Sequence, residues 1–344
     1  MQKRILVVVA FMFIYNVSFA CDLCTIYLGI NPNDYQNSMG IQYRFRAFEK
    51  EYNNLSLATF NSKQRVKGIP GDKHGGAGLS ETTSSYIYAE EFNSYDITLN
   101  VYLHPKWQLN MSTYFADNYI KQNDSIIGNV GGIGDINLLV KYQLFNSQNN
   151  CDTTMKNMLV HRLTLGAGIT LPTGNYNKQT VTGFETEFKP NTILGTPITE
   201  LDPHMQAGTG SFGYLFLAEY LLKFNSFGIN LNATYKLNTT NKNEFKFANR
   251  INSNIALFSL IKISKKIKIM PQTGLSYEQS KRDTYQDAPF MDSGGTVLFA
   301  NVGLNIFYDK LRFGVTYYQP TYQSLYDDQP LNKLRVISQI NYYF

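Results

Sequence analysis

The chain has 344 residues, of which 14% are aromatic and only 17% are charged, and its formal net charge is +5. This charge is too small and too dispersed for a nucleic-acid-binding protein, so we predict no nucleic-acid partner. The scarcity of charge beside 25 Tyr and 23 Phe residues is unusual for a soluble protein and favours a chain whose surface meets lipid.

The N-terminus has the pattern of a secretion signal. Lys3 and Arg4 precede a short apolar core, and Ser18-Phe19-Ala20 places small residues at the two positions that a signal peptidase reads. No later segment has the roughly 18 uninterrupted apolar residues of a transmembrane helix, so a membrane-spanning fold must be a closed barrel. We predict three parts: a signal peptide (1–20), a periplasmic segment (21–39) and an outer-membrane β-barrel (40–344).

The predicted mature chain begins with a CxxC pair, Cys21 and Cys24. Three interpretations stay open: a lipid on Cys21, a small periplasmic disulfide, or a site for a soft metal such as copper or zinc. Ser18 occupies the position where lipoprotein signals usually carry an aliphatic residue. Neither a second CxxC nor paired histidines complete a zinc site, and we predict no cofactor.

From residue 40 onward, apolar and polar side chains alternate with a period of two, and turn residues interrupt the alternation. This pattern predicts an all-β transmembrane fold, with antiparallel strands that turn one face to lipid and the other to a polar lumen. We predict twelve strands. The second ends with residues 95–103, and the others lie at about 40–49, 107–115, 135–144, 162–171, 211–223, 227–236, 245–263, 266–278, 298–306, 311–317 and 333–344.

The connection lengths also indicate a membrane barrel. Short periplasmic turns and long external loops are typical of outer-membrane barrels, and an even number of strands places both termini in the periplasm. A soluble β-sandwich does not predict this asymmetry. Tight links are predicted at 104–106, 225–226, 264–265 and 309–310, and longer links at about 50–85, 119–131, 172–208, 280–294 and 321–331.

The C-terminus indicates the same location, the outer membrane. Phe344 is the last residue, and Tyr342 and Ile340 share its face of the last strand. This arrangement resembles the signal by which outer-membrane barrels are recognised for assembly. We predict that Phe344 binds the barrel-assembly machinery and that the outward face of the barrel contacts outer-membrane lipid.

The polar face of the strands is predicted to line the lumen, because a charge facing lipid would cost about 2–4 kcal/mol at mid-membrane. In one interpretation, arginines pair with acids and fill the barrel, which then acts as a receptor, structural or metal-handling protein. In the other, which we favour, an excess of arginine lines a narrow channel for small polar, anionic or aromatic solutes. The predicted lumen residues are Arg44, Arg46, Asp96, Asn100, Asp135, Lys141, Arg162, Arg250, Arg312 and Arg335.

The loop at 172–208 is the best candidate for a constriction, because long loops in barrels often fold inward and carry function. The alternative is an external loop that only shields the surface. His204 beside Asp202 is also the one acid–histidine pair that could serve a hydrolase, but Pro203 between them favours a surface loop, and we predict no enzymatic activity. The candidate constriction residues are Tyr176, Phe184, Glu185, Asp202 and His204.

Several short segments resemble a known family. Gly166-Ala-Gly-Ile-Thr-Leu-Pro-Thr-Gly174 and Gln206-Ala-Gly-Thr-Gly-Ser-Phe-Gly-Tyr214 are similar to segments of the outer-membrane transporters grouped with the meta-pathway phenol-degradation proteins. Cys21-Asp-Leu-Cys24, Tyr43-Arg-Phe-Arg46 and Asp292-Ser-Gly-Gly295 resemble the form of that family found in Bacteroidota. The resemblance implies a β-barrel that moves small hydrophobic or aromatic compounds.

Overall fold

The computed structural model describes residues 36–53, 85–147, 159–176 and 202–344. Within these ranges the chain forms seventeen β-strands and one short 3-10 helix, Pro203–Met205, and no helix there is long and apolar enough to cross a membrane. The strands are β1 (Ser38–Asn53), β2 (Ser85–His104), β3 (Trp107–Gln122), β4 (Ser125–Ile133), β5 (Ile136–Asn146), β6 (Leu159–Leu171), β7 (Gly213–Phe224), β8 (Phe227–Asn238), β9 (Phe245–Lys246), β10 (Arg250–Ser259), β11 (Ile261–Lys262), β12 (Ile267–Ser280), β13 (Thr284–Tyr285), β14 (Ala288–Pro289), β15 (Gly295–Tyr308), β16 (Leu311–Leu325) and β17 (Leu331–Tyr343).

Twelve wall strands of the described chain close into one antiparallel barrel. Neighbouring wall strands pair along the chain, and the ring is closed because β17 pairs with β1 and β10 pairs with β12. Two wall strands consist of two pieces each: β4 and β5 both pair with β3, whereas β10 and β11 both pair with β12. Closure gives each of the twelve wall strands a partner on both sides, although the pieces β4 and β11 each pair on one side only. The predicted all-β, twelve-stranded antiparallel barrel is confirmed.

The two faces of the wall differ sharply in exposure. On β1, Ile41 is 60% exposed, whereas Gln42 and Arg44 are 6% and 3% exposed. Successive residues of a strand point to opposite faces, so the apolar residues of β1 face outward and the polar ones face the interior. Other strongly exposed apolar residues on the outward face are Ile97, Phe115, Val302, Leu304, Val315 and Ile340.

The outward apolar belt has a polar limit toward the long loops. On β2 the outward residues from Leu103 to Tyr95 are apolar or aromatic, and the next outward residues, Asn93 and Glu91, are polar. At this limit the Tyr43 hydroxyl donates a hydrogen bond to Oδ1 of Asn93 over 2.7 Å. A belt that ends in aromatic and hydrogen-bonding groups is typical of a barrel in a lipid bilayer.

Short turns and longer loops lie mainly at opposite ends of the barrel. The short-turn end carries the links at 105–106, 225–226, 263–266 and 309–310, and the long-loop end carries those at 172–212, 239–249, 281–294 and 326–330. The predicted long link at 119–131 is wrong. There β3 extends to Gln122, and β4 begins at Ser125 after a two-residue turn. Asn123 and Asp124 form that turn with φ of 47° and 66°, a conformation that Asn and Asp tolerate well.

The strand predicted at 245–263 is divided in the structure. Residues Phe245–Lys246 form β9, which pairs with β13, and β13 pairs with β14 in a small three-stranded sheet. The wall strand begins only at Arg250. The residues at 245–249 therefore belong to the long-loop end, where local alternation alone does not distinguish a loop sheet from a wall strand.

The interior is not uniformly polar, which differs from the prediction for the inward face. A lumen of twelve strands is intermediate between barrels filled by side chains and open porins, so large side chains fill part of it. Buried apolar clusters alternate with buried polar groups around the interior. Three of these clusters are Phe48 with Phe92, Ile120, Val130 and Met205; Val297 with Phe299, Tyr318 and Ile337; and Leu139 with Leu215 and Leu217.

A charge placed on the outward belt should destabilise the barrel more than the same charge beyond its limit. Val302 is 58% exposed on β15, and we expect Val302→Arg to lower the free energy of unfolding by about 2–4 kcal/mol in lipid vesicles. The matched control is Asn93→Arg at the polar limit, with an expected cost of about 0–1 kcal/mol. Urea unfolding of both variants in vesicles measures the difference, and equal costs would contradict the lipid-facing assignment.

Candidate functional site

The described residues that directly precede β7 fold into the barrel. We call residues 202–211 the inward segment. Met205 is 2% exposed and Ala207 is 1% exposed, so the segment lies inside the barrel rather than on its surface. Its 3-10 helix is capped by Asp202, whose Oδ1 accepts a hydrogen bond from the backbone N–H of His204 over 2.8 Å. Asp202 and His204, both candidate constriction residues, therefore face the interior together.

Side chains of β3 hold the backbone of the inward segment. The hydroxyl of Tyr114 donates to the carbonyl oxygen of Ala207 over 2.5 Å, and Nδ2 of Asn118 donates to the carbonyl oxygen of Met205 over 3.0 Å. The Met205 side chain belongs to the buried cluster that includes Phe92. Buried carbonyls with no strand partner are thus satisfied by wall side chains, which offsets the cost of burying them.

Asp135, a predicted lumen residue, joins three stretches of chain. Its carboxylate accepts hydrogen bonds from the backbone N–H of Gly174 (2.9 Å), from the N–H of Thr209 (2.9 Å) and from the Thr209 hydroxyl (2.6 Å). Gly174 and Gly208 approach so closely that a Cβ on Gly208 would lie 2.5 Å from the backbone carbon of Gly174. Asp135 thereby fixes one end of the inward segment to the wall.

His204 is held between two carboxylates. Its Nδ1 lies 2.8 Å from Oδ1 of Asp202, and its Nε2 lies 2.6 Å from Oδ2 of Asp283, which follows β12. The other carboxylate oxygen of Asp283 accepts a hydrogen bond from the backbone N–H of Ala248 over 2.6 Å. We call His204, Asp202 and Asp283 the latch. It connects the inward segment to the loop between β12 and β15, and through Ala248 to the loop that precedes β10.

Aromatic rings surround the latch. The ring centroids of Phe245, Phe247 and Phe290 lie 6.1, 5.9 and 6.0 Å from that of His204. Phe245 and Phe247 are almost fully buried. The side chain of Asp283 is 2% exposed and that of Asp202 is 39% exposed, so the bond of His204 to Asp283 is the one shielded from water. Charge interactions are stronger where the local dielectric constant is low.

The latch is ionised at neutral pH. Burial acts to lower the pKa of His204, but the charges and hydrogen bonds of Asp202 and Asp283 outweigh burial and hold this pKa well above the usual 6.5. Burial also acts to raise the pKa of Asp283, but its bond to His204 and the charges of His204 and Arg250 outweigh that effect and lower it. His204 is therefore an imidazolium that bonds to two carboxylates.

This arrangement is unsuited to general base catalysis. A catalytic imidazole needs one ring nitrogen free to accept a proton, and both nitrogens of His204 face carboxylates. The nearby Ser293 hydroxyl donates to the carbonyl oxygen of Phe290 and accepts from the N–H of Asp283, so it is not placed as a nucleophile against His204. The geometry serves to hold the inward segment in place.

Four of the predicted lumen arginines pair with acidic residues inside the barrel. Only Asp96 among those acids belongs to the predicted lumen set; the other three acids were not expected there. The pairs, with one nitrogen–oxygen distance each, are Arg44–Asp96 (3.2 Å), Arg162–Glu219 (3.5 Å), Arg250–Asp283 (3.9 Å) and Arg335–Glu278 (3.1 Å).

The remaining predicted lumen residues have other surroundings. The guanidinium of Arg46 lies 4.7 Å from the ring centroid of Phe92, and Oδ1 of Asn100 accepts from Nδ2 of Asn110 over 2.7 Å. Arg312 and Lys141 line a cavity near the short turns. The structure thus places all ten predicted lumen residues inside the barrel, in several separate groups rather than one.

Two of the cavities inside the barrel show where the inward segment lies. One has about 40 Å³ and lies between the inward segment and the wall, where His204, Gln206 and Arg250 contribute to its lining. The other has about 100 Å³ and lies near the short-turn end, with Tyr102 and Lys106 of the β2–β3 hairpin at its border. The inward segment therefore stands between the long loops and the polar interior.

Some predicted site residues lie outside the described ranges: Phe184, Glu185, Cys21 and Cys24. Tyr176 is described and lies against Gly210 of the inward segment, where a Cβ on Gly210 would be 2.9 Å from the tyrosine ring. In the part of the chain that the structure describes, no group of three or more His, Cys, Asp or Glu side chains could hold a metal ion. The metal site at the CxxC pair stays a prediction.

The sequence reasoning missed several residues of this site. Asp283 is the most important, because it completes the latch from a loop 79 positions after His204. Thr209 lies within one of the glycine-rich segments, so its motif was visible although its bonds to Asp135 were not. Glu219 lies on a strand that is apolar on both faces, so the alternation did not predict which face it takes, and Glu278 lies at the end of the strand predicted at 266–278.

Solved outer-membrane barrels share this architecture. An outer membrane channel from Pseudomonas putida F1 is 14% identical, with a TM-score of 0.56, and the match covers 92% of this chain and 100% of that one. The beta domain of the Bordetella autotransporter Brka is 11% identical, with a TM-score of 0.46, over 90% and 100% of the two chains. Neither a protein-family model nor a curated protein matches the sequence. At 14% identity the first similarity establishes the outer-membrane barrel fold alone.

The latch should be stable at neutral pH and weaken at alkaline pH. The contribution of His204, whose pKa is raised, is fully present below pH 6.5 and is lost as pH rises through the raised value. The contribution of Asp283, whose pKa is lowered, is present above pH 3.8 and is lost only as pH falls through the lowered value. We therefore expect a His204 that remains protonated on both nitrogens at neutral pH.

Nitrogen-15 NMR of labelled histidine in the refolded barrel measures this protonation directly. Replacing Asp283 with Asn should lower the pKa of His204, because it removes a buried counter-charge. A matched control is Asp327→Asn, which removes a different loop carboxylate that pairs with Arg282. Titration of His204 near 6.5 in the unmodified protein would contradict the latch.

Proposed function

We propose that the protein is an outer-membrane channel for small solutes, closed in this structure by the inward segment. One observation carries the proposal. The segment that obstructs the lumen is held by side-chain hydrogen bonds, one ionic latch and a backbone bond from the N–H of Gly208 to the carbonyl oxygen of Asn175, and not by a ladder of pairs with a wall strand. A closure of this kind can open while the barrel itself stays intact.

The energetics favour a movable segment. A hydrogen bond within a protein contributes about 0.5–1.5 kcal/mol net, and the bonds from Tyr114 and Asn118 are of this kind. By contrast, neighbouring wall strands are joined by continuous ladders, such as the 16 paired positions of β1 and β2. Gly210, with a φ of 66°, provides a flexible position at the end of the segment.

Orientation and location complete the proposal. Short turns in the periplasm and long loops outside are usual for outer-membrane barrels, so the inward segment would close the channel from the cell exterior. The apolar outward belt suits the lipid of that membrane. The solved protein from Pseudomonas putida F1 that shares this fold is itself an outer membrane channel, which supports transport as the role.

We propose small polar, anionic or aromatic molecules as the solutes. The interior presents amides, hydroxyls and arginines, which suit polar and anionic groups, and buried aromatic rings, which suit flat apolar groups. The implied relation to the meta-pathway phenol-degradation transporters would favour aromatic solutes. We also propose that Phe344, at the exposed end of the chain beside Tyr342, is the contact for the barrel-assembly machinery.

A second candidate is a barrel that does not conduct and acts as a receptor or scaffold. The apolar clusters and buried ion pairs that fill much of the interior favour this alternative. A protein that binds partners with its external loops does not need a lumen that opens, so buried ion pairs can fill that lumen permanently. A metal-handling role would depend on Cys21 and Cys24.

Single-channel recording in planar bilayers tests the channel. We expect the refolded wild-type protein to show rare, brief openings at neutral pH, and Asp283→Asn to open more often. Breaking a buried charge pair costs about 3–5 kcal/mol, so the free-energy difference that favours the closed state over the open state should become smaller. Asp327→Asn is the matched control, because it removes a loop ion pair that does not touch the inward segment.

The outcomes separate the two candidates. More frequent openings in Asp283→Asn but not in Asp327→Asn would support a channel that the latch closes. If wild type and both variants fail to conduct while circular dichroism and heat-modifiable migration show a folded barrel, the channel proposal is wrong. A search for partners of the external loops would then be the next experiment.

A further inference from the structure

The cavity near the short turns carries an excess of positive charge. It has about 100 Å³ of space, whereas one water needs only about 10–15 Å³. Four cationic side chains and one carboxylate, Glu219, belong to its lining among the described residues, with amides and hydroxyls between them. The cationic residues are Lys106, Lys141, Arg162 and Arg312.

Lys141 is the unusual member of this lining. It is 6% exposed on the inward face of β5, and the described carboxylate that acts on its ammonium group is Glu219, which is ion-paired with Arg162. Its register neighbours across the sheet are Gly166 on β6 and Gln108 on β3. A buried ammonium that shares its carboxylate with an arginine is costly, so a bound group that supplies a further negative charge would stabilise this position.

The carboxylate of the cavity is already engaged. Oε1 of Glu219 accepts from the Arg162 guanidinium over 3.5 Å and from Nδ2 of Asn230 over 3.3 Å. The pair of Arg162 and Glu219 is neutral as a whole. Glu219 therefore does not balance both Arg162 and Lys141.

Arg312 adds a second buried cation without an acidic partner. It is 3% exposed, and its Nε and Nη2 both donate to one neutral amide oxygen, Oδ1 of Asn305, over 3.0 and 2.9 Å. Its guanidinium lies 5.7 Å from the ring centroid of Phe307. Among the described residues no carboxylate pairs with it. Because the charges of Arg162 and Glu219 cancel, Lys141 and Arg312 give the buried lining two positive charges.

We infer that this cavity is a binding site for a small organic carboxylate, with the Lys141 ammonium as the main counter-charge. The cavity is larger than an inorganic ion requires, and the neighbouring amides Gln143 and Gln339 can donate to carboxylate oxygens. Tyr102 and Tyr343 provide ring surface at the border for the apolar part of such a ligand. This inference rests on the proposed function, since it names the solute class that would pass the channel.

Binding can be measured without any conduction. Isothermal titration calorimetry of the folded wild-type barrel in detergent would use benzoate and acetate as ligands, with benzamide and acetamide as neutral controls of the same shape. We expect benzoate and acetate to bind and the amides to bind at least about tenfold more weakly, because a charged hydrogen bond contributes more than a neutral one. Because benzoate and acetate are compared with their amides on the wild-type protein, this test does not depend on the folding of any variant.

Variants then identify the residue. Lys141→Gln should weaken benzoate binding about tenfold to a hundredfold, and Lys141→Arg should restore much of it. The matched control is Lys236→Gln, because Lys236 is also an inward lysine but lines the other cavity. We expect that control to bind benzoate within about twofold of wild type.

The possible results separate this inference from the proposed function. Equal binding of benzoate and benzamide, no binding of either, or an unchanged affinity in Lys141→Gln would overturn the carboxylate site, whatever the conductance. Benzoate binding that depends on Lys141 would support the site even in a barrel that does not conduct. Conduction without benzoate binding would support the channel and contradict the carboxylate site.

Discussion

The whole structure depends on closure of the sheet. A strand that crosses a bilayer has no water to bond its backbone, so each wall strand needs a partner on both sides. The pairing of β10 with β12 and of β1 with β17 completes the ring. Because the ring has an inside and an outside, the period of two then assigns each residue of a strand to lipid or to the interior.

Closure creates the electrostatic problem that the interior must solve. Polar and charged side chains are excluded from lipid and are forced into a lumen with little water. Most of the inward arginines find acids, amides or aromatic faces, as Arg44 does with Asp96 and Arg46 does with Phe92. The buried Lys141 shares the Glu219 carboxylate with Arg162, and this shortage of negative charge is the basis of the carboxylate site that we infer.

The inward segment solves a different problem. It crosses the lumen without strand partners, so its backbone relies on Tyr114, Asn118 and the Asp135 carboxylate. The imidazolium of His204 between Asp202 and Asp283 adds a charge-dependent contact to these. The wall is therefore held by many cooperative backbone bonds. The inward segment is held by a few bonds that can break while the wall stays folded, as the proposed channel would require.

The sequence by itself determined the barrel and the faces of its strands. The alternation of residues such as Ile41 and Arg44 carries that information locally, because lipid and lumen impose opposite preferences on adjacent positions. It also indicated 172–208 as the loop to examine. It did not distinguish the hairpin at 119–131 from a loop, since polar outward residues beyond the membrane no longer mark a strand.

Only the tertiary structure decided which residues meet. Asp283 reaches His204 from a distant loop, and Asp135 reaches Gly174 and Thr209 from two different directions. Likewise, Arg162 forms an ion pair with Glu219, and Lys141 shares the charge of that carboxylate at a longer distance. Such pairings depend on the distance between atoms after closure, and a periodic pattern fixes the face of a side chain but not its neighbour across the lumen.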